Sequence, residues 1–205
     1  MYTAVEPVAD ELKKFEQLVK NKRDQWHKVT FDFRAITIEE YLEMNERKQF
    51  GMISATHSAY YFKDLEETIM NLYECLVKGG ILFTRMDDGG LEKFISKVGE
   101  YYTDQLCNFI GTHAIEDIIN RRIPNVRYGS IKRELWFNVT ECFGEESEIG
   151  SYIINVFTKI YNFREKAKPK IKKQILDYMR DECCKKEDSR ILFNTDERDL
   201  FIFRD

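Results

Sequence analysis

The chain has 205 residues, with 32 Lys and Arg against 36 Asp and Glu, and a formal net charge of -4. Apolar residues make up 43% and charged residues 33%, the balance of one large domain with a sizeable core. With 15 Phe and 11 Tyr, the chain has too much apolar surface for disorder. The absence of a basic excess argues against a nucleic-acid binder held by phosphate contacts. No apolar run is long enough to span a bilayer, and the start lacks the layout of a signal peptide. Five Cys in irregular spacing, with no CxxC, indicate neither a zinc site nor a disulfide framework. A cytoplasmic, reducing location is therefore expected. No linker or repeat divides the chain, so residues 1–205 read as a single domain.

The elements alternate along the chain. Tyr2 to Glu6 is a short strand stopped by Pro7. Leu12, Phe15, Leu18 and Val19 recur at helical spacing and predict a helix over 8–21. Val29, Phe31 and Phe33 alternate as one face of a strand, and an acidic helix from Ile38 to Arg47 follows. Phe50 to Ala55 is a nearly apolar run that suits a buried parallel strand. Leu65, Ile69, Leu72 and Leu76 predict a helix stopped at Gly79-Gly80 by a left-handed cap. Ile81 to Thr84 is the next strand, and Leu91 to Tyr102 the next helix. Further on, His113 to Arg121 reads as helix, Val126 to Leu135 as strand, and Ser151 to Phe163 and Lys170 to Asp181 as helices. Ile191 to Phe193 and Leu200 to Phe203 are expected to close the chain as a hairpin with its turn near Asp196 to Arg198. The Cys183-Cys184 pair, set among charges, reads as exposed. Strands alternating with helices mean a mostly parallel sheet in an α/β fold.

In such sheets ligands bind beyond the carboxyl ends of the strands. Glu6 ends the first strand. A carboxylate there is either a ribose-binding acid or a solvated acid ahead of a Pro-started helix. His57, after the third strand, is a base, a substrate partner or a structural group. Tyr60-Tyr61-Phe62 is either a pocket wall for a cation or core. No two of the 10 Gly stand at G-x-G spacing, so no glycine loop follows a first strand.

Strand–Glu–Pro–helix, followed by LEETIMNLYECLVKGGILFT, resembles a class I S-adenosylmethionine-dependent methyltransferase of Rossmann-like fold. Within it, Val5-Glu6-Pro7, Glu40-Tyr41, Tyr60 to Asp64, Asp104 to Cys107, Tyr161 to Phe163 and Ile191 to Asn194 resemble the histamine N-methyltransferase family. The resemblance implies transfer of a methyl group from S-adenosylmethionine to a small amine, in a monomer that binds neither nucleic acid nor membrane. It implies Glu6, Glu11, Thr37, Ile38 and Thr56 as cofactor-binding residues. It also implies His57, Tyr60, Tyr61, Cys107, Phe163, Asn194 and Thr195 at the substrate, with His57 also catalytic and no metal. Where the family has a substrate-contacting Gln, His57 stands here, and Leu91 and Ile95 replace two pocket Trp residues. A different small amine from histamine is therefore plausible. The family's first strand and glycine loop have no counterpart ahead of Met1. That predicts an N-terminally incomplete fold with a split sheet, and an inactive fragment. The alternative reading is a non-catalytic, methyltransferase-like interaction protein.

Overall fold

The computed structural model describes residues 1–44, 48–102 and 110–205. Strands β1 (Tyr2–Val5) and β2 (Phe31–Arg34) are parallel, linked by helix α1 (Ala9–Asn21). Phe15 of α1 brings its ring against Tyr2, Phe31 and Phe33 at 5.7–6.3 Å, so an aromatic cluster fixes the helix on this pair. Helix α2 (Ile38–Glu43) starts at a complete capping box. The Thr37 hydroxyl accepts the Glu40 N–H at 3.2 Å, and the Glu40 carboxylate accepts the Thr37 N–H at 2.8 Å. Thr37→Ala removes one half of that exchange and is expected to cost about 1 kcal/mol of stability in a urea titration.

The chain continues through β3 (Phe50–Thr56), α3 (Leu65–Glu74), β4 (Leu76–Asp87), α4 (Gly90–Gly99), α5 (Thr112–Arg122), β5 (Arg127–Arg133) and β6 (Trp136–Asn138). Helices α6 (Glu148–Thr158), α7 (Phe163–Lys166) and α8 (Pro169–Glu182) follow, then β7 (Cys184–Glu187), β8 (Arg190–Asn194) and β9 (Glu197–Phe203). The main sheet has the order β3-β4-β9-β5, with β3 and β4 parallel and β9 antiparallel to both of its neighbours. The fold is thus α/β with a mixed sheet. Leu82, Thr84 and Met86 alternate along β4 and are fully buried. They face a core that Ile69 of α3, Ile115 and Ile119 of α5, and Leu200 and Ile202 of β9 complete. A second core of Phe94, Val98, Ile154, Phe163, Ile175, Met179 and Phe193 lies among α4, α6, α7, α8 and β8.

The parallel strands fall into two sheets. The β1–β2 pair is separate from the main sheet, and among the described residues neither β1 nor β3 pairs on its second side.

Several elements depart from the sequence reading. Helix α3 ends at Glu74, and Gly79-Gly80 lies inside β4. Gly79 has φ +78° in an irregular stretch where the β3 register jumps from Leu76 to Ile81. Its N–H donates to the Arg204 carbonyl at 2.6 Å. The glycines therefore bulge a strand rather than cap a helix. The two closing apolar runs do not pair with each other. Strand β8 joins β6 and β7, and β9 enters the main sheet. The hairpin is β7–β8, with Asp188 at φ +55° in its turn. Helix α6 starts at Glu148 and stops at Thr158, where Lys159 takes a left-handed backbone. Cys183 is buried, not exposed. The predicted end of α2 at residues 45–47 lies outside the described residues.

Candidate functional site

His57 follows β3 directly, at the carboxyl end of the parallel pair. Its backbone is left-handed, φ +50°, an unusual conformation for a residue with a side chain. The His57 N–H donates to the Arg85 carbonyl at 2.9 Å, so the β3–β4 ladder fixes the turn. This backbone throws the imidazole across the end of β4 toward β9. Nε2 lies 3.0 Å from Glu197 Oε1, and Nδ1 lies 3.2 Å from the Tyr60 hydroxyl.

Tyr60 sits in a single helical turn, Ala59–Tyr61. Its hydroxyl oxygen accepts the Asp87 N–H at 2.9 Å. Burial pushes the Tyr60 phenol up to about 12, so it stays a proton donor through the neutral range. Asp87 ends β4 with 5% exposure. Its carboxylate accepts N–H groups of Gly89 and Glu92 at 3.3 Å each, at the start of α4. Burial nonetheless raises its carboxyl to about 6.

A ladder of alternating charge backs this end of the sheet. Arg85 binds Asp199 through Nε at 2.6 Å and Nη2 at 3.2 Å. Arg133 binds the same carboxylate at 2.8 and 2.6 Å. These two guanidinium groups hold the Asp199 carboxyl down at about 2. Arg85 Nε is also 3.7 Å from Glu197 Oε2. Because Asp199 satisfies Arg85, Glu197 keeps its other oxygen for His57. The arrangement is an oriented imidazole between a phenol and a carboxylate, at the strand ends where α/β folds bind ligands.

No family model matches the chain. The histamine N-methyltransferase of Danio rerio is 27% identical over 209 residues, covering 97% of this chain and 70% of the relative. A provisionally assigned methyltransferase from Bacillus halodurans superposes with a TM-score of 0.62 at 12% identity, covering 100% of this chain and 83% of that one. This chain is thus similar in sequence to a histamine N-methyltransferase and shares its fold with a methyltransferase. A phosphoethanolamine N-methyltransferase from Haemonchus contortus, solved with phosphomonomethylethanolamine and S-adenosylhomocysteine, gives a TM-score of 0.50 at 15% identity. It covers 98% of this chain and 43% of that one.

In this methyltransferase fold, His57, Tyr60 and Tyr61 fall together, the two Tyr rings meeting edge to face at 6.2 Å. Tyr61 is 73% exposed. Asn194 reaches the same end of the sheet. Its Oδ1 accepts the Asp196 N–H at 2.8 Å, and it packs so closely on Gly89 that a Cβ there would lie 2.4 Å from Oδ1. Thr195 donates its N–H to the Leu135 carbonyl. Thr56 is exposed at the end of β3, its hydroxyl 3.2 Å from that of Ser54. Glu6 follows β1, and its Oε1 accepts the Val8 N–H at 2.8 Å. Glu11 is exposed and pairs with Lys14 within α1 at 2.6 Å. The Thr37 hydroxyl is engaged in the α2 cap, and Ile38 packs on the core. Phe163 is fully buried in the second core against Tyr102. Cys107 lies outside the described residues.

The sequence reading missed Glu197 and gave Asp87 no role. It placed Glu197 in the turn of a hairpin, where an acid is unremarked. Only the antiparallel register Asp87↔Glu197 brings the two acids to one strand end, and that pairing leaves no local trace.

Proposed function

We propose that the chain is an S-adenosylmethionine-dependent N-methyltransferase acting on a small, histamine-like amine. The observation that carries this reading is the His57–Tyr60–Glu197 cluster at the carboxyl end of β3 and β4, in a fold shared with N-methyltransferases. An amine must be neutral to accept a methyl group. An imidazole backed by a carboxylate is suited to take its proton near neutral pH. Tyr60 and Tyr61 supply the aromatic surface that favours a cationic substrate on arrival.

The residues present fit the ribose end of the cofactor. Glu6 presents a carboxylate at the end of β1 with one oxygen engaged by Val8, an arrangement suited to paired ribose hydroxyls. The backbone of Thr37, the apolar side chain of Ile38 and the end of β3 at Thr56 would hold the adenine and the sulfur-bearing arm. When bound, the cofactor supplies the methyl group as an electrophilic sulfonium. Glu11, paired with Lys14, must leave that partner to take part.

Calorimetry of the full chain with S-adenosylmethionine, followed by methyl transfer to a panel of small amines, tests this reading. Glu6→Ala is expected to weaken cofactor binding by about 1.5–3 kcal/mol through loss of charge-assisted hydrogen bonds. Unchanged affinity would remove Glu6 from the ribose site. Cofactor binding without turnover of any amine would support the alternative, a non-catalytic binding protein.

A further inference from the structure

We infer that Glu197 is a positioning residue that fixes the tautomer of His57. This makes the Nδ1 side of the ring, reached through the Tyr60 hydroxyl, the proton-accepting side of the site. The inference rests on the amine-methylation reading for its purpose, but not for its geometry.

Four observations carry it. His57 holds a left-handed backbone, φ +50°, and strained residues of this kind persist where the surroundings over-determine them. Its two ring nitrogens contact chemically opposite partners, Glu197 Oε1 at 3.0 Å and the Tyr60 hydroxyl at 3.2 Å. The Tyr60 oxygen already accepts the Asp87 N–H, which leaves the hydroxyl to donate toward Nδ1. The Glu197 side chain is 22% exposed and sits 3.7 Å from Arg85, whose stronger partner is Asp199 at 2.6 Å. The carboxylate is therefore not neutralised by Arg85 and remains the charge that the imidazole faces.

The groups around the ring are Tyr60 from its helical turn, Arg85 and Asp87 from β4, and Glu197 and Asp199 from β9. Arg133 of β5 is bound to Asp199. Arg85 is the cation nearest the pair, and Asp199 offsets its charge, so the Glu197 carboxylate stays available to the ring. For an ammonium substrate the proton count closes within the cluster. The ammonium gives one proton to the Tyr60 oxygen as the phenol passes its own proton to His57 Nδ1. The substrate is left as a neutral amine and His57 as an imidazolium paired with Glu197. A base held by its neighbour in one tautomer is poised for one direction of transfer.

The test is nitrogen-15 NMR of the histidine side chains in the full chain, with His57 assigned by its loss in His57→Asn. Wild type is expected to show His57 as the Nε2–H tautomer. Glu197→Gln is expected to mix the tautomers. Glu197→Asp is expected to restore part of the Nε2–H preference. Tyr60→Phe is expected to leave the Glu197 effect in place. An unchanged tautomer in Glu197→Gln, with the circular dichroism of the native protein, would overturn the inference. So would a dominant Nδ1–H tautomer in wild type. If Glu197→Gln does not fold, the wild-type tautomer and that of Glu197→Asp decide. If the NMR result holds and no amine is methylated, the positioning stands and the proposed activity falls. If amines are methylated, Glu197→Gln should lower kcat more than it raises KM.

Discussion

Asp199→Ala is expected to destabilise the fold by about 3 kcal/mol at pH 7, the low end for breaking a buried ion pair from one side. Asp199 is 1% exposed, and its carboxylate receives two N–H bonds from Arg85 and two from Arg133. Removing it leaves two guanidinium groups side by side without the carboxylate that binds both. Arg85 and Arg133 are 28% and 45% exposed, so water recovers part of the loss, which sets the low end. The effect carries a pH signature. The folded-state carboxyl sits at about 2 against an ordinary 3.8. Its stabilisation is therefore complete above the unfolded value and is lost as pH falls from about 4 toward 2. Urea titrations should show the gap between wild type and Asp199→Ala narrowing over that interval. A gap below about 1 kcal/mol at pH 7, well under the cost of an unpaired buried charge, would contradict the ion-pair account. A gap that does not change with pH would do the same. The substitution should also reach the site, because an Arg85 without Asp199 has Glu197 as its nearest acid and competes with His57 for it.

Strands whose burial is set by their own residues were legible in the sequence. Ile81 to Thr84 was legible, with Leu82 and Thr84 buried, whereas Phe50 to Ala55, read as a buried strand, is a strand at the sheet edge with Gly51, Met52 and Ser54 exposed. The alternation of Phe31 and Phe33 was legible for the same reason. Elements that exist only through a partner were not. Strand β7, Cys184–Glu187, is mostly charged and forms because Lys185 and Lys186 pair with Leu192 and Ile191. Helical spacing from Leu65 to Leu76 runs on without a break into Lys78-Gly79-Gly80, so periodicity alone could not show that the chain becomes extended at Leu76. The two closing apolar runs are each strands, as read. Which sheet each joins is decided by contacts with β4, β5 and β6, more than 50 residues away in sequence for β6.

The same division holds at the site. His57 and Tyr60 were legible because a strand end followed by a polar aromatic turn is a local pattern. Glu197 was not, because its value comes from the β4–β9 register. Its neighbours in sequence, Asp196 and Arg198, instead face Lys132 and Asp88. Phe163, which the resemblance assigns to the substrate, is completely buried in the second core with residues of α6 and α8.

Asp87→Asn is expected to stabilise the fold above pH 6 by up to about 3 kcal/mol, which is the free energy of a two-unit displacement of a carboxyl. Burial holds the Asp87 carboxyl at about 6 against an ordinary 3.8. Between about pH 4 and 6 the native state therefore keeps a proton that the unfolded chain has already released. Stability falls as pH rises through that window and stays lower above it. Asparagine keeps an oxygen for the Gly89 and Glu92 N–H groups and carries no charge to bury, so it removes the penalty. The advantage of the variant should vanish below pH 4, where both carboxyl states are protonated. Thermal or urea unfolding from pH 3.5 to 8 reads this directly, and a wild-type curve parallel to that of Asp87→Asn across the window would refute it. The two acids thus slope in opposite directions. Asp199 is held ionised by two arginines, while Asp87 is held toward neutrality by its burial. An acid kept against its own stability at a strand end is what a site needs when a proton must be managed there, and the stability gained by Asp87→Asn measures how much the fold gives up to keep it.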